Sequence, residues 1–330
     1  MPDSIITISN VKKRFKTYKA GEHKKGFLGR LMRKYYYNQA LDGVSFGIKK
    51  GEITALLGKN GSGKSTLIKI MTGVLHPDSG EVLVDGMSPW GDRTRLAKEI
   101  GVVFSQHNNL YFDLPPSDTF DYMKSLYSVP EHEYRQRLRY LLKLLDFEDK
   151  YKTQTRLLSF GERMKGNFIS ALLHNPKIVF LDEATVGIDL PSRFALRKAV
   201  QQMRKDFGTT FVIATHIVDD IEALAERIIF VDKSKVIFDG PRGEFDSIIG
   251  NKKHIELQFS DGVDPKIKGF GKVLEQGEGY IKLEIDSDKV KDKSLSRLLF
   301  SKGVIDYSVY EPDLSYILGK FYATLDKRKK

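Results

Sequence analysis

Eight consecutive residues, Gly58, Lys59, Asn60, Gly61, Ser62, Gly63, Lys64 and Ser65, follow the order G-x-x-x-x-G-K-S. Glycines let the backbone curl so that successive N–H groups point inward, and a lysine adds a point charge beside them. That combination cradles phosphate. A β-branched stretch precedes it and a helical pattern over residues 64–72 follows, so a helix N-terminus faces the same oxygens. Lys64 is placed on the β- and γ-phosphates of a nucleotide, Ser65 on Mg²⁺, and Thr66 beside them in the cradle. A chance glycine turn is the bland alternative, and the flanking strand and helix argue against it.

A phosphate cradle alone defines binding, and further residues must define chemistry. Residues 178–181 (Ile-Val-Phe-Leu) form an apolar run ending in Asp182 and Glu183. A strand buried on both faces delivers its C-terminal end to the ligand crevice of a parallel sheet. There Asp182 is suited to Mg²⁺, and Glu183 to orienting and deprotonating a water. His216 follows another buried run, residues 210–215, and is suited to hydrogen bonding with the γ-phosphate. A solvated Asp-Glu pair and a polar loop histidine are the competing readings.

These groups need a scaffold. Strand-like segments at 44–48, 52–57, 178–181 and 210–215 interleave with helical ones at 64–72, 117–126, 131–145 and 193–205. Leu138, Leu141, Leu142 and Leu145 share one helical face. The alternation predicts an α/β fold with a parallel sheet. Two more strand-like pieces, 228–231 and 236–238, close this region. After about residue 250 the pattern changes: 255–259, 280–285 and 305–309 alternate like half-buried strands, and 295–300 and 314–322 look helical. The expected organisation is a nucleotide-binding domain over 1–250 and a small α+β accessory domain over 251–330.

Composition is that of a globular chain: 330 residues, 41% hydrophobic and 29% charged. There is no cysteine, which excludes disulfides, thiolate metal sites and a catalytic thiol. No apolar run reaches the length of a membrane span, and the start lacks secretory features, so a cytoplasmic or peripheral protein is expected. The formal net charge of +11 favours anionic partners. It is uneven: Lys12, Lys13, Arg14, Lys16, Lys19, Lys24, Lys25, Arg30, Arg33 and Lys34 crowd the start with only Glu22 among them.

With these motifs in place, Leu158, Ser159, Phe160, Gly161, Glu162 and Arg163 resemble the Leu-Ser-Gly-Gly-Gln signature of the ABC (ATP-binding cassette) ATPases. The phosphate loop, Gln106, the signature, Asp182-Glu183, Asp189 and His216 occur in that family's order over roughly residues 1–250. The resemblance implies a RecA-like core with a helical subdomain at about 107–165, and ATP with Mg²⁺ as ligands. It implies two cassettes, identical or paralogous, closing head to tail on two ATP molecules. Ser159 and Gly161 would contact the γ-phosphate across the interface, Gln106 would sense Mg²⁺ and water, and Asp189 would couple the two sites. The adenine platform would be Phe15, with Tyr18 and Tyr35 to Tyr37 competing. Phe160, Glu162 and Ala184 depart from the family pattern, which puts the rate in question while keeping the phosphate contacts.

Residues 16–38 are an insertion relative to a minimal cassette. Phe27, Leu28, Leu31, Met32 and Tyr35 share one helical face while Arg30, Arg33 and Lys34 lie elsewhere, which suits a membrane surface or partner helix as well as packing on the domain itself. This insertion, Leu114-Pro115-Pro116, Arg163-Met164 and the segment Tyr310 to Leu314 look most like cassettes of ABC-2-type exporters of the viologen or multidrug kind. That resemblance implies an ATPase subunit served by a separate permease, peripheral on the cytoplasmic membrane face. The alternative is a non-transport ABC ATPase acting on ribosomes or DNA. One cassette and no long coiled coil argue against it, and nucleic acid is not expected as a partner.

Overall fold

The computed structural model describes residues 4–17, 35–104, 108–250, 252–260, 262–263, 265–286, 296, 299, 303–310, 312, 316–321 and 323. Tyr18, Gln106, the proposed helical face from Phe27 to Lys34, and most of the segment from Tyr310 to Leu314 lie outside the described residues. The chain divides into two compact units, Met1–Asp239 and Gly240–Lys330.

The first unit is built on strands β1 (Ser4–Thr17), β2 (Tyr36–Lys49), β3 (Ile53–Leu57), β4 (Ser79–Val84), β5 (Ile100–Phe104), β6 (Ile178–Asp182), β7 (Thr210–Thr215), β8 (Arg227–Asp232) and β9 (Lys235–Pro241). Its helices are α1 (Lys64–Met71), α2 (Arg93–Glu99), α3 (Pro116–Leu126), α4 (Glu131–Leu144), α5 (Phe160–Leu172), α6 (Leu190–Phe207) and α7 (Val218–Leu224). One sheet runs β5-β6-β7-β3-β8-β9, and β5, β6, β7, β3 and β8 are parallel. A second, three-stranded antiparallel sheet runs β2-β1-β4.

The central strands are apolar throughout because both faces are covered. Along β6 and β7, Val179, Leu181, Phe211 and Ile213 join one core with α6 and the helical region, which contributes Phe120, Leu141, Phe147, Met164 and Phe168. Ile178, Phe180, Val212 and Ala214 alternate into a second core with α1 and the antiparallel sheet. Register aligns the strand ends: Phe104 pairs with Asp182, Asp182 with Ala214, and Leu57 with Thr215. The phosphate loop, Asp182-Glu183 and His216 therefore leave one edge of one sheet, as expected of ligand sites in parallel α/β sheets.

The structure adds elements that the sequence reading did not assign. At the ends of the 16–38 insertion, Lys16 and Thr17 continue β1, and Tyr36 to Asn38 open β2, paired as Lys16 with Tyr37 and Thr17 with Tyr36. Side chains there are polar or aromatic on both faces, so no period-2 apolar signal marks the strands. Elements α2 and β5 were not anticipated either. In the second unit, α8 (Arg242–Ile249) precedes an antiparallel sheet β11-β12-β10-β13, with β10 (Lys252–Phe259), β11 (Lys272–Gln276), β12 (Tyr280–Asp286) and β13 (Val304–Tyr310). Its core is the alternate face Ile255, Leu257, Phe259, Ile281, Leu283 and Ile285. Residues 316–321 are helical.

His174, after α5, stacks on Tyr127 with ring centroids 3.9 Å apart, and its Nε2 lies 2.9 Å from the Ile100 carbonyl. Burial pushes its imidazole down to about 4. A folded value below the ordinary one means that the unfolded chain takes up a proton the fold refuses, so stability is lost as pH falls from about 6.5 towards about 4. Thermal midpoints measured from neutral pH down through that window should fall more steeply for the wild type than for His174→Gln.

Candidate functional site

The phosphate loop is shaped by what surrounds it. A Cβ on Gly58 would overlap the Val231 carbonyl and Ser62 Oγ. Gly63, at φ +115°, would meet the Ala40 carbonyl and the Leu41 side chain. The loop is thereby pressed between β8 and β2. Gly63 is the N-cap of α1 with no side-chain cap, so the first N–H groups of α1 keep their capacity for an anion. Ser62 Oγ is buried without a hydrogen-bond partner, an unsatisfied hydroxyl inside the cradle.

Lys64 is 4% exposed. Its Nζ donates to the carbonyls of Gly58 at 2.7 Å and Lys59 at 3.1 Å and stands 3.9 Å from Glu183 Oε1. Burial pushes its pKa down, and the carboxylates of Glu183 and Asp182 oppose that shift. Ser65 Oγ donates to Asp182 Oδ1 at 2.9 Å. Burial raises the pKa of Asp182, while the Ser65 hydrogen bond and the Lys64 charge pull it down. The oxygen pair of Ser65 and Asp182 fits Mg²⁺, which takes few protein oxygens and completes its shell with phosphate and water. Among the described residues no cluster of three His, Cys, Asp or Glu could hold a metal by itself.

Glu183 sits at φ +54°, in the left-handed region that glutamate seldom occupies. Its N–H donates to the Ala214 carbonyl at 2.9 Å, and its own carbonyl accepts from Val186 at 3.1 Å. The turn after it is braced by Asp220, which accepts from Thr185 Oγ1 and from Arg197 Nε at 2.8 Å. His216 Nδ1 lies 3.3 Å from Glu183 Oε1. A neutral imidazole whose Nδ1–H serves Glu183 has only a lone pair on Nε2, so donating to a phosphate at the same time requires both nitrogens protonated.

Lys64, Ser65, Asp182, Glu183 and His216 are thus brought together. Ser159, Gly161 and Asp189 form a second cluster. Ser159 caps α5: its Oγ accepts from Glu162 N at 3.1 Å, and its N–H donates to Glu162 Oε2 at 2.8 Å, a reciprocal capping box. The glutamate that departs from the family pattern thus serves the helix end, with Lys150 3.0 Å away. Burial alone would raise the Glu162 pKa, but the Ser159 N–H and Lys150 hold it below the usual range. Asp189 caps α6 through Ser192 N at 3.1 Å, and hydrogen bonds from Ser192 keep its carboxyl low. A Cβ on Gly161 would overlap Asp189 Oδ1 and Ser192 Oγ. Glycine is required there because two helix N-termini meet, a tertiary reason that no local pattern encodes.

Phe15 pairs with Asn38 and is exposed. Lys13 Nζ stands 5.8 Å from the Phe15 ring centroid, so the two share a face of β1, and Leu41, the partner of Lys13, lies against Gly63. Tyr35 and Tyr37 pack instead under Lys16 and Arg14, on the other face.

A phosphate loop entering a helix, with a metal-suited serine–aspartate pair and a glutamate beside it on a parallel sheet, defines a P-loop nucleoside triphosphatase. The family model described as "ABC transporter" matches residues 41–186. The energy-coupling factor transporter ATP-binding protein EcfA2 of Clostridium perfringens is 31% identical over 252 residues, covering 75% of this chain and 86% of that one. Among solved structures, CbiO1 of Clostridium perfringens, described as part of the transporter complex CbiONQ, superposes with a TM-score of 0.61 at 29% identity, covering 74% of this chain and 91% of that one. A dimeric ATP-binding cassette in a post-hydrolysis state, bound to ADP and Pi, superposes with a TM-score of 0.60 at 25% identity, over 72% and 98% of the two chains. The chain belongs to the ABC transporter ATP-binding proteins, and it is an ATP-hydrolysing enzyme.

Gly161→Ala should force α5 and α6 apart, lowering both the thermal midpoint and ATP turnover. Ser159→Ala should cost about 1 kcal/mol of stability through the lost cap, as read by denaturant unfolding.

Proposed function

We propose that this chain powers an ABC-2-type exporter, working as one of two cassettes on the cytoplasmic face of a separate permease. The observation that carries the enzymatic part is the convergence of Lys64, Ser65, Asp182, Glu183 and His216 on one sheet edge. Lys64 and the α1 N-terminus bind the triphosphate of ATP. Ser65 and Asp182 hold Mg²⁺, which when bound supplies neutralisation of phosphate charge. Glu183 aligns the attacking water and accepts its proton, and His216 restrains the Glu183 carboxylate. Phe15 stacks on adenine.

Ser159 and Gly161 serve the ATP of the second cassette. The Ser159 oxygen accepts from Glu162, which leaves its hydrogen free to donate to a γ-phosphate. A dimeric relative supports this arrangement, as does the position of Asp189 against the signature glycine. For the permease, the segment after Gln106 offers Tyr111, Phe112, Leu114 and Tyr122, all exposed, with the rings of Tyr111 and Tyr122 5.8 Å apart. An apolar patch of this kind suits a docking surface. No described helix is long and apolar enough to cross a membrane; in the proposed assembly the substrate path belongs to the partner. The direction of transport rests on sequence likeness to ABC-2 exporters.

Glu183→Gln should reduce turnover roughly 10²–10⁴-fold, the contribution of a general base, while ATP binding persists. Phe15→Ala should weaken ATP binding about tenfold, the order expected for one aromatic–base stack, as measured by fluorescence titration. Glu183→Gln protein purified from solubilised membranes with ATP should carry a polytopic membrane protein. Recovery of ribosomes or DNA in its place would overturn the transport reading.

A further inference from the structure

We propose that Thr185 and Asp220 are positioning residues for ATP hydrolysis: their buried hydrogen bond, anchored by Arg197, holds the Glu183 carboxylate in place against His216. The inference rests on the reading of Glu183 as the general base. Two chain segments meet at the edge of the parallel sheet, one leaving β6 through Glu183 and the other leaving β7 through His216. They are tied twice. In the site, His216 Nδ1 lies 3.3 Å from Glu183 Oε1, and both side chains are partly exposed. Behind it, two residues after Glu183 and four after His216, Thr185 Oγ1 donates to Asp220 Oδ2. This second tie is buried, with the Asp220 side chain only 1% exposed. Asp220 is fixed in turn. Its Oδ1 accepts from Arg197 Nε at 2.8 Å and from Nη2 of the same guanidinium. Arg197 stands on α6, about two turns beyond the Asp189 cap.

The turn needs such a hold. Glu183 sits at φ +54°, and a left-handed glutamate persists only where its surroundings over-determine it. Its N–H is held by the Ala214 carbonyl at 2.9 Å, and its carbonyl by the Val186 N–H at 3.1 Å. These bonds fix the Glu183 backbone, but neither reaches α7, the helix that follows His216. The Thr185 hydroxyl supplies that link. A buried carboxylate–guanidinium pair adds little net stability over apolar packing of the same volume. Here it adds geometry, because each Asp220 oxygen is committed to a different element, one to α6 and one to the turn. A base that must align a water tolerates little displacement: a misplacement of about 1 Å can cost roughly 10²-fold in rate.

The test is single-turnover hydrolysis of radiolabelled ATP by the purified full chain with Mg²⁺, with ATP affinity read separately by fluorescence titration. Thr185→Val keeps the side-chain shape and removes the hydroxyl. It should lower the rate at saturating ATP by about tenfold or more, while ATP affinity stays within about twofold of the wild type. Thr185→Ser restores the donor and should hold the rate within about threefold. Added to Glu183→Gln, Thr185→Val should cost no further rate, because the group it positions is already gone. A merely structural brace would lower affinity and rate together, and by the same factor in both backgrounds. Where valine prevents folding, Thr185→Ala carries the same expectations, since it leaves space for a water on Asp220. A wild-type rate for Thr185→Val, an equal loss in the Glu183→Gln background, or a Thr185→Ser rate as low as that of Thr185→Val would each overturn the proposal while leaving Glu183 as the base. A wild-type rate for Glu183→Gln alone would remove the base and, with it, this role for Thr185 and Asp220, so the single variants tell the two failures apart.

Discussion

One ammonium group must stay charged where water hardly reaches it. Lys64 lies under the phosphate loop with two carbonyls as acceptors and two carboxylates nearby. Isolated in an apolar interior, such a charge would neutralise. Here the neighbours that keep it charged are the groups that must also face the nucleotide. Gly58 supplies its carbonyl because a side chain would not fit against β8. Asp182 and Glu183 reach it because β6 ends in register with β5 and β7. The doubly covered sheet thus positions the proposed catalytic groups as well as the core: it fixes the ends of four strands to within one residue of each other.

A division of labour follows within the first unit. The proposed triphosphate site is assembled on the edge of the parallel sheet. The proposed contact with a second nucleotide is assembled where α5 and α6 begin, each helix capped by its own polar residue, with the Asp189 and Ser192 side chains against Gly161. The first draws on the start of α1, whose N–H groups have no side-chain cap and need no side-chain rearrangement to receive an anion. Asp189 caps one helix while touching the other, so it reports the relative position of the two.

Much of this was legible in the sequence, for definite reasons. The phosphate loop and Asp182-Glu183 are linear motifs flanked by strong strand and helix signals, and Leu138, Leu141 and Leu142 mark a helix by spacing alone. Tertiary dependence hid the rest. The need for glycine at 161 is set by Asp189 and Ser192, distant in the chain. β11 is mostly exposed, and its Lys-Val-Leu-Glu-Gln sequence carries little alternation. The extended ends of β1 and β2 hold Lys, Arg and Tyr on both faces, and a period-2 rule has nothing to detect there. Glu162, which departs from the family pattern, turns out to complete a capping box, a local rule that does operate on S-x-x-E spacing.

The left-handed backbone at Glu183 has an evolutionary consequence. A glutamate in this conformation carries roughly 1 kcal/mol or more of strain, held by the pairing of its N–H with Ala214. Glycine or asparagine would sit there at ease. Substitutions that remove the proposed base can therefore leave a sturdier protein than the original, and selection for robustness alone would drive the residue away from glutamate. With Glu183 as the proposed base, the turn is a place where activity and durability pull in opposite directions.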